Sequence, residues 1–462
     1  MTKDLTSGSP MKLILGFALP TLIGILFQQF YSLVDTAIVG NLLDTSALAA
    51  VGTTGSLNFM VIGFIVGLGN GFAIPVSQRM GAGQHSMMRK YVANSYWLAG
   101  GFSIAVTLLV CVLCRQILIA MQIPEDIFER SYQYIFVIFL GIPAIFLYNL
   151  LASLIRALGD SKTPVYFLAL ASVMNIILDY IFIVYTPLGV AGAALATVIS
   201  QSCSGIACLF YMKKKFPILK MTAEEKKING VICKNLCFMG IPMGLQFSIT
   251  AIGNVILQTA VNGLGSSTMV GALSTSGKLS IFFWAPFDSL GSTISTFCGQ
   301  NVGAMKLDRL GKGIKSACLL GAIYSIFAFA ILWFFGEDLL MLFLNEDEGD
   351  LTEFMNYAKK NLYIMNAFMI ILCILIVTRF AIQGMGFSTF AMLAGVMEMI
   401  SRTCVALFLV PVWGYDAACF GAPIAWIAAI AFLIPASYGC IKKLKTSQIR
   451  DDNEYLPPEE VH

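Results

Sequence analysis

Twelve apolar runs of membrane-spanning length follow one another through the 462 residues, and they limit the possible folds more than any other feature. A bilayer core of about 30 Å takes about 20 mostly apolar residues per helix. Only a helix lets a single segment satisfy its own backbone hydrogen bonds there. The runs lie near 13–38, 47–76, 92–113, 131–155, 164–186 and 189–212, then near 235–261, 269–299, 314–335, 362–383, 389–411 and 418–441. An all-α integral membrane protein is the expected class. Composition agrees: 58% of residues are hydrophobic and 12% charged, with mean hydropathy +0.80, where a soluble domain is about 25% charged. The first run carries Gln28, Gln29 and Asp35 and is too long and polar for a cleavable signal peptide.

The same composition excludes several functions. His85 and His462 are the only histidines, so a Ser-His-Asp triad or a multi-histidine zinc site has almost no material. The 12 cysteines form no CxxC pair and suit apolar packing. A net charge of +3 is too small to indicate nucleic acid. No enzyme activity and no cofactor are expected. Charge placement is more telling. With the N-terminus inside, 22 of the 29 lysines and arginines fall in cytoplasmic loops, four (Arg115, Arg130, Lys359, Lys360) outside, and three (Lys278, Arg379, Arg402) in spans. The longest outside loop is acidic, with Glu346, Asp347, Glu348, Asp350 and Glu353. By the positive-inside rule both termini are cytoplasmic, in a multi-pass protein of the cell membrane.

The chain also repeats itself. At a shift of 222 residues Pro20 meets Pro242, Thr53 and Gly55 meet Thr275 and Gly277, and Gln78, Gly81 and Ala82 meet Gln300, Gly303 and Ala304. At a shift of 223, Leu170, Ala171, Val173 and Met174 meet Leu393, Ala394, Val396 and Met397. Six spans per repeat is an even number, so the halves run in the same direction, related by a pseudo-two-fold axis along the membrane normal. The expected organisation is a six-helix lobe (1–212), a basic cytoplasmic linker (213–234), a second six-helix lobe (235–441) and a cytoplasmic tail (442–462). Two such lobes around a cleft suit an alternating-access carrier, expected to work as a monomer within membrane lipid.

Ionisable groups inside spans are expensive, roughly 2.5–3.5 kcal/mol each on insertion scales, and are therefore functional candidates. In the first lobe Gln28, Tyr31 and Asp35 form a polar stripe, and Asn175 lies one turn before Asp179. With Thr197 in the sixth span, these oxygens suit a dehydrated Na+ or a bound proton. In the second lobe Glu398 and Arg402 are four residues apart and share a helical face. They occupy the repeat positions of Asn175 and Asp179, and either a structural ion pair or a substrate-cleft role fits them. Asp288 is a further cleft candidate. Lys278 and Arg379 are expected near helix ends, reaching for the interface.

The first span, from Pro20 through Gln28-Gln29-Phe30-Tyr31-Ser32-Leu33-Val34-Asp35-Thr36-Ala37-Ile38-Val39-Gly40, resembles the opening helix of MATE (multidrug and toxic compound extrusion) transporters. Arg156-Ala157-Leu158-Gly159-Asp160-Ser161-Lys162-Thr163-Pro164 and Asn175-Ile176-Ile177-Leu178-Asp179 resemble the same family. The resemblance implies a secondary antiporter exporting organic, often cationic and amphipathic compounds in exchange for Na+ or H+. It assigns cation coupling to Asp35, Asn175, Asp179 and Thr197, with neutral oxygens tilting the choice toward Na+, and a helix-one bend to Pro20. One branch of the family also carries acids in spans seven and ten; Gln246–Asn254 and Ile370–Thr378 contain none, which argues for the damage-inducible-protein branch. A lipid-linked saccharide flippase of the same superfamily is the alternative, and it would draw on Lys278, Arg379 and Arg402 in the cleft. A major-facilitator carrier lacks support in the loop Gln78-Arg79-Met80-Gly81-Ala82-Gly83-Gln84. An intramembrane aspartyl protease finds no Gly-x-Gly-Asp context at Asp35 or Asp179.

Overall fold

A computed structural model describes residues 3–342 and 351–453. Glu346, Asp347, Glu348 and Asp350 of the acidic loop, and His462 with the end of the tail, lie outside the described residues. The described chain contains helices and connecting turns and no strand. In order they are α1 (Pro10–Leu42), α2 (Gly55–Gly81), α3 (His85–Ala120), α4 (Glu125–Leu140 and Ile142–Ala157), α5 (Thr163–Tyr185) and α6 (Val190–Lys215). The second set is α7 (Gly230–Asn262), α8 (Ser267–Gly303), α9 (Asp308–Met341), α10 (Leu351–Ala367 and Met369–Gly384), α11 (Ser388–Cys404, prolonged to Trp413) and α12 (Tyr415–Asn453). A short helix, Thr45–Thr53, leads into α2, capped by the Asp44 carboxylate accepting from Ala47 N at 2.7 Å.

Among the described residues nine helices are long and apolar enough to cross a bilayer, and the bent pairs α4 and α10 bring the number to eleven. The remaining long helix, α8, spans 37 residues but holds Lys278, Asp288 and many serines and threonines, which dilute its apolar character. The bends in α4 (49°) and α10 (50°) are nearly equal. Pro143 explains the first, because it stands in the first turn after Gly141 and cannot donate to the preceding turn. The second falls at Phe368, where no proline stands, so the repeated fold keeps the bend without the residue that causes it elsewhere. Pro20 lies inside an uninterrupted α1, and its repeat mate Pro242 inside α7.

Burial follows the repeat. Leu168, Ala171, Ser172, Asn175, Asp179 and Ile183 are buried on α5, and at the shift of 223 Ala391, Ala394, Gly395, Glu398, Arg402 and Ala406 are buried on and just beyond α11. Two large apolar cores result, one per lobe. They exchange ends: Leu5, Ile14, Phe17 and Ala18 join the second core, and Ile232 and Leu236 from the start of α7 join the first. Each lobe's first helix therefore begins in the other lobe.

A seam of small residues lets the lobes touch backbone to backbone. Gly67 and Gly71 of α2 face Gly244 and Gly240 of α7; a Cβ on Gly71 would stand 2.4 Å from Gly240 Cα, and one on Gly67 2.6 Å from Met243 O. In the symmetry-related contact, Ser289 of α8 donates to Ala18 O of α1 at 2.6 Å. Small-xxx-small spacing of this kind permits close approach in lipid, where no hydrophobic effect drives helices together.

At the helix ends that carry Arg79, Arg89, Lys213 and Lys306, here the basic face, the repeated Gln-x-x-Gly-Ala motifs meet. A Cβ on Gly303 would lie 1.8 Å from Gln78 O, and one on Gly81 2.0 Å from Gln300 O. Ser77 donates to Thr296 O at 3.2 Å, and Gln300 Nε2 donates to Ala157 O at 3.1 Å. Residues 3–9 run beneath this seal as a strap. Lys3 N donates to Gly159 O (2.8 Å), Leu5 N to Gln300 Oε1 (3.1 Å), and Asn301 Nδ2 and Lys306 Nζ donate to Leu5 O and Thr6 O (3.1 and 2.9 Å). Gly159 has φ +93°, and a Cβ there would sit 2.3 Å from Lys3 O, so this position of the Arg156–Pro164 motif needs glycine twice over.

The linker is more than the solvated basic loop its lysines suggest. Glu225 is buried under α3, accepting from Arg89 Nε (2.8 Å), Arg89 Nη2 (2.7 Å), Ser86 Oγ (2.8 Å) and Thr222 N (2.9 Å). The Arg89 guanidinium, against the opposing effect of burial, holds the Glu225 carboxyl at about 2.

Gly71→Ala is expected to lower stability by about 1–3 kcal/mol through overpacking. Gly100→Ala, whose new methyl meets nothing within 4 Å, should be neutral; thermal unfolding of the purified protein compares them. Replacing residues 3–9 by a Gly-Ser segment of equal length should speed amide exchange in segments 77–84 and 299–306, read by hydrogen–deuterium mass spectrometry. Unchanged exchange there would make the strap a passive tail.

Candidate functional site: a carboxyl pair beside a central cavity

The first-lobe candidates converge. Asp35 from α1 and Asp179 from α5 stand within hydrogen-bonding reach of each other. The Asn175 amide sits between Asp179 Oδ2 and Thr197 Oγ1, at 3.1 and 3.2 Å. With Nδ2 toward the carboxylate it donates there and accepts from Thr197 N and Oγ1, which satisfies both neighbours. Tyr31 faces Thr197, and Tyr31, Asn175 and Thr197 line one small recess with Ser200 and Gln201. Two carboxyls this close cannot both keep a full negative charge in an apolar interior without a cation or proton between them. Asp35 Oδ1 and Asp179 Oδ1 are both buried without a hydrogen-bond partner. Two anionic oxygens, with the Asn175 amide N–H on one carboxylate and the Thr197 hydroxyl behind it, fit a monovalent cation or a shared proton. Among the described residues no group of three or more His, Cys, Asp or Glu side chains could hold a metal ion.

Two members of this site were not evident from sequence. Tyr134 of α4 is buried near enough to the carboxyl pair and Tyr31 to feel their charge, but nothing in the apolar run around it marks it out. Gln201 follows Thr197 by one turn of α6, a spacing that was available as a signal. It lines both the small recess and a larger cavity, and its Oε1 is buried and unpartnered.

That larger cavity, about 360 Å³, lies between the lobes. Gln28, Asn70, Asn149, Arg156, Asp288 and Phe247 are among its walls, and polar side chains make up half of its lining. Gln28 thus separates from Tyr31 and Asp35, the other members of the predicted stripe. Asp288 is exposed to the cavity. Glu398 and Arg402 are not among its lining residues, nor are Lys278 and Arg379. A flippase-like basic cleft built on Lys278, Arg379 and Arg402 is therefore not formed.

Those arginines instead make a buried cluster in the second lobe. Arg402 Nη2 donates to Glu398 Oε2 at 3.2 Å, and Arg379 Nη2 of α10 contacts Glu398 Oε1. All three are buried, Arg379 at 7% exposure, so Arg379 does not reach for the interface as its sequence position suggested. It lies five residues inside the end of α10, where α11 covers it. Gln383 Nε2 donates to Gln246 Oε1 nearby, at 2.7 Å.

Comparison with known proteins settles the family. The MatE family model matches residues 20–181 and 242–408. The chain belongs to the MATE family. It is 31% identical to the probable multidrug resistance protein YpnP of Bacillus subtilis, over 75% of this chain and 77% of that one. The probable multidrug resistance protein YoeA of the same organism is 28% identical over 72% and 73%. A solved outward-facing MATE multidrug resistance transporter shares the fold with TM-score 0.89 at 20% identity, covering 96% of this chain and 99% of its own. The twelve-helix, two-lobe architecture is that of the MATE fold.

The second-lobe cluster sets this MATE chain a test. Glu398→Gln leaves two buried guanidiniums without a carboxylate and should cost about 3–5 kcal/mol. Arg402→Met leaves the Arg379–Glu398 pair intact and should cost clearly less. The double variant should recover little, because Arg379 stays uncompensated, and adding Arg379→Met should restore most of the loss. Equal losses for the two single variants, with recovery in the double, would reduce the cluster to an isolated Glu398–Arg402 pair.

Proposed function

We propose that this chain is a secondary antiporter of the cell membrane, exporting small organic compounds, cationic and amphipathic ones among them, in exchange for Na+ or H+. The observation that carries the reading is the Asp35–Asp179 carboxyl pair, with its unpartnered oxygens, held apart from a polar cavity that opens between two repeated lobes. Membership of a family whose relatives are named multidrug resistance proteins supports it. In this reading Asp35, Asn175, Asp179 and Thr197 hold the coupling ion, and Tyr31 and Tyr134 enclose it. Gln28 and Asp288 face the substrate. Gln201, shared by both spaces, is placed to make occupation of one felt in the other.

The positive-inside rule puts the basic face and its strap in the cytoplasm, so the sealed state described above closes the cavity to the cytoplasm. The chain functions as a monomer in lipid, without cofactor or nucleic acid. The neutral hydroxyl oxygen of Thr197, which a proton would not need, favours Na+ as the coupling ion, and the lack of acids in Gln246–Asn254 and Ile370–Thr378 argues for the damage-inducible branch.

Proteoliposomes given a Na+ gradient and a pH gradient separately test the mechanism. Asp35→Asn and Asp179→Asn are each expected to reduce gradient-driven export to the level of protein-free vesicles, with the protein still folded and inserted. Export surviving both substitutions would remove the first-lobe site from coupling. A rate indifferent to Na+ at fixed pH would assign the coupling to protons.

A further inference from the structure

Two charged side chains of opposite sign face the central cavity, and neither meets a counter-ion. Asp288 forms no ion pair or hydrogen bond among the described residues and is open to the cavity. Arg379 lies behind that wall, near enough to feel Asp288, but its guanidinium is engaged by Glu398. On the floor, Arg156 has no carboxylate partner; its Nη2 donates to Ser153 Oγ at 2.9 Å, and that hydroxyl is 2.7 Å from Asn70 Oδ1. In the second lobe, by contrast, the buried charges are paired, Glu398 taking both Arg379 and Arg402.

The two free charges sit at different depths. Ala157, next to Arg156, accepts from Gln300, which places Arg156 near the level of the seal. Asp288 is twelve residues earlier on α8 than Gln300, roughly 18 Å along the axis at 1.5 Å per residue, less the reach of the arginine side chain. The walls between them mix amide and hydroxyl side chains with apolar ones. A purely apolar cation would leave Arg156 unpaired and these groups without partners, at the usual desolvation cost.

We propose that the cavity takes a dipolar ligand, an elongated organic compound with a cationic group for Asp288 at one end and an acidic group for Arg156 at the other. The proposal rests on the cavity being the substrate site of the antiporter described above, and makes Asp288 and Arg156 its two specificity-determining residues. Arg156 presents a planar fork suited to bidentate recognition of a carboxylate or phosphate. Asp288 supplies the single negative charge that a quaternary or protonated amine needs.

Binding to the purified full-length protein in nanodiscs tests this with three probes. One is a fluorescent aromatic betaine with a quaternary ammonium and a carboxylate at opposite ends of a rigid linker. The second is its methyl ester, cationic only; the third carries a neutral amide in place of the ammonium, anionic only. The betaine should bind about tenfold tighter than either, the equivalent of one charge-assisted contact. Arg156→Gln should bring the betaine down to the affinity of the ester while leaving the ester within about twofold. Asp288→Asn should weaken betaine and ester alike and spare the anionic probe. Equal affinity of betaine and ester in the unmodified protein overturns the proposal, as does failure of the betaine to bind. So does equal weakening of both by Arg156→Gln, the result expected of a merely structural arginine. Charge-selective binding without gradient-driven export would support the dipolar site while overturning the antiport reading.

Discussion

Backbone contact between the lobes is the constraint on which the rest of the structure depends. In lipid, helices gain nothing from hiding apolar surface, so two six-helix lobes stay together only where they approach closely or hydrogen-bond. Gly67 and Gly71 against Gly244 and Gly240 provide the first, and Ser289 on Ala18 O the second, at repeat-related positions. Because each lobe's first helix starts in the opposite core, α1 belongs to both lobes and carries Gln28 into the cavity and Asp35 into the carboxyl pair. The same uninterrupted helix thus connects the two sites.

The two lobes solve the problem of buried charge differently from the same repeat positions. Where the first lobe has Asn175 and Asp179 and an uncompensated pair of carboxyls, the second has Glu398 and Arg402, closed by Arg379. The first arrangement is incomplete without a cation or proton and is therefore poised to bind one. The second is nearly self-sufficient and suits a fixed core. The fold is symmetric; the unpartnered carboxyl pair is confined to the first lobe, with the polar cavity between the two.

The helices, the repeat and the polar first-lobe residues were legible because each is a local signal: apolar length, self-similarity, and rare polar side chains in apolar runs. Asp35, Asn175, Asp179 and Thr197 stood out for that reason, and the structure places them together. Lateral neighbours were not legible. Arg379 looked like an interfacial residue from its distance to a helix end, yet its partner Glu398 lies on the next helix, 19 residues on. Tyr134 carries no local mark. Glu398 and Arg402 were candidates for the cleft, but helical periodicity gives a face and not what the face meets. The Gln-x-x-Gly-Ala motifs were visible as a repeat, but only the backbone approach of Gly81 and Gly303 explains why glycine stands there.

A coupling ion held at the carboxyl pair, and not in the cavity, changes the state of Asp35 and Asp179 when it binds. Infrared difference spectra of the purified protein, recorded on exchanging Na+ for its absence and on stepping pH, report on carboxyl groups that change state. The expected carboxyl signal disappears in Asp179→Asn and persists in Asp288→Asn. A signal unchanged in Asp179→Asn, or one lost in Asp288→Asn, would contradict that placement of the ion.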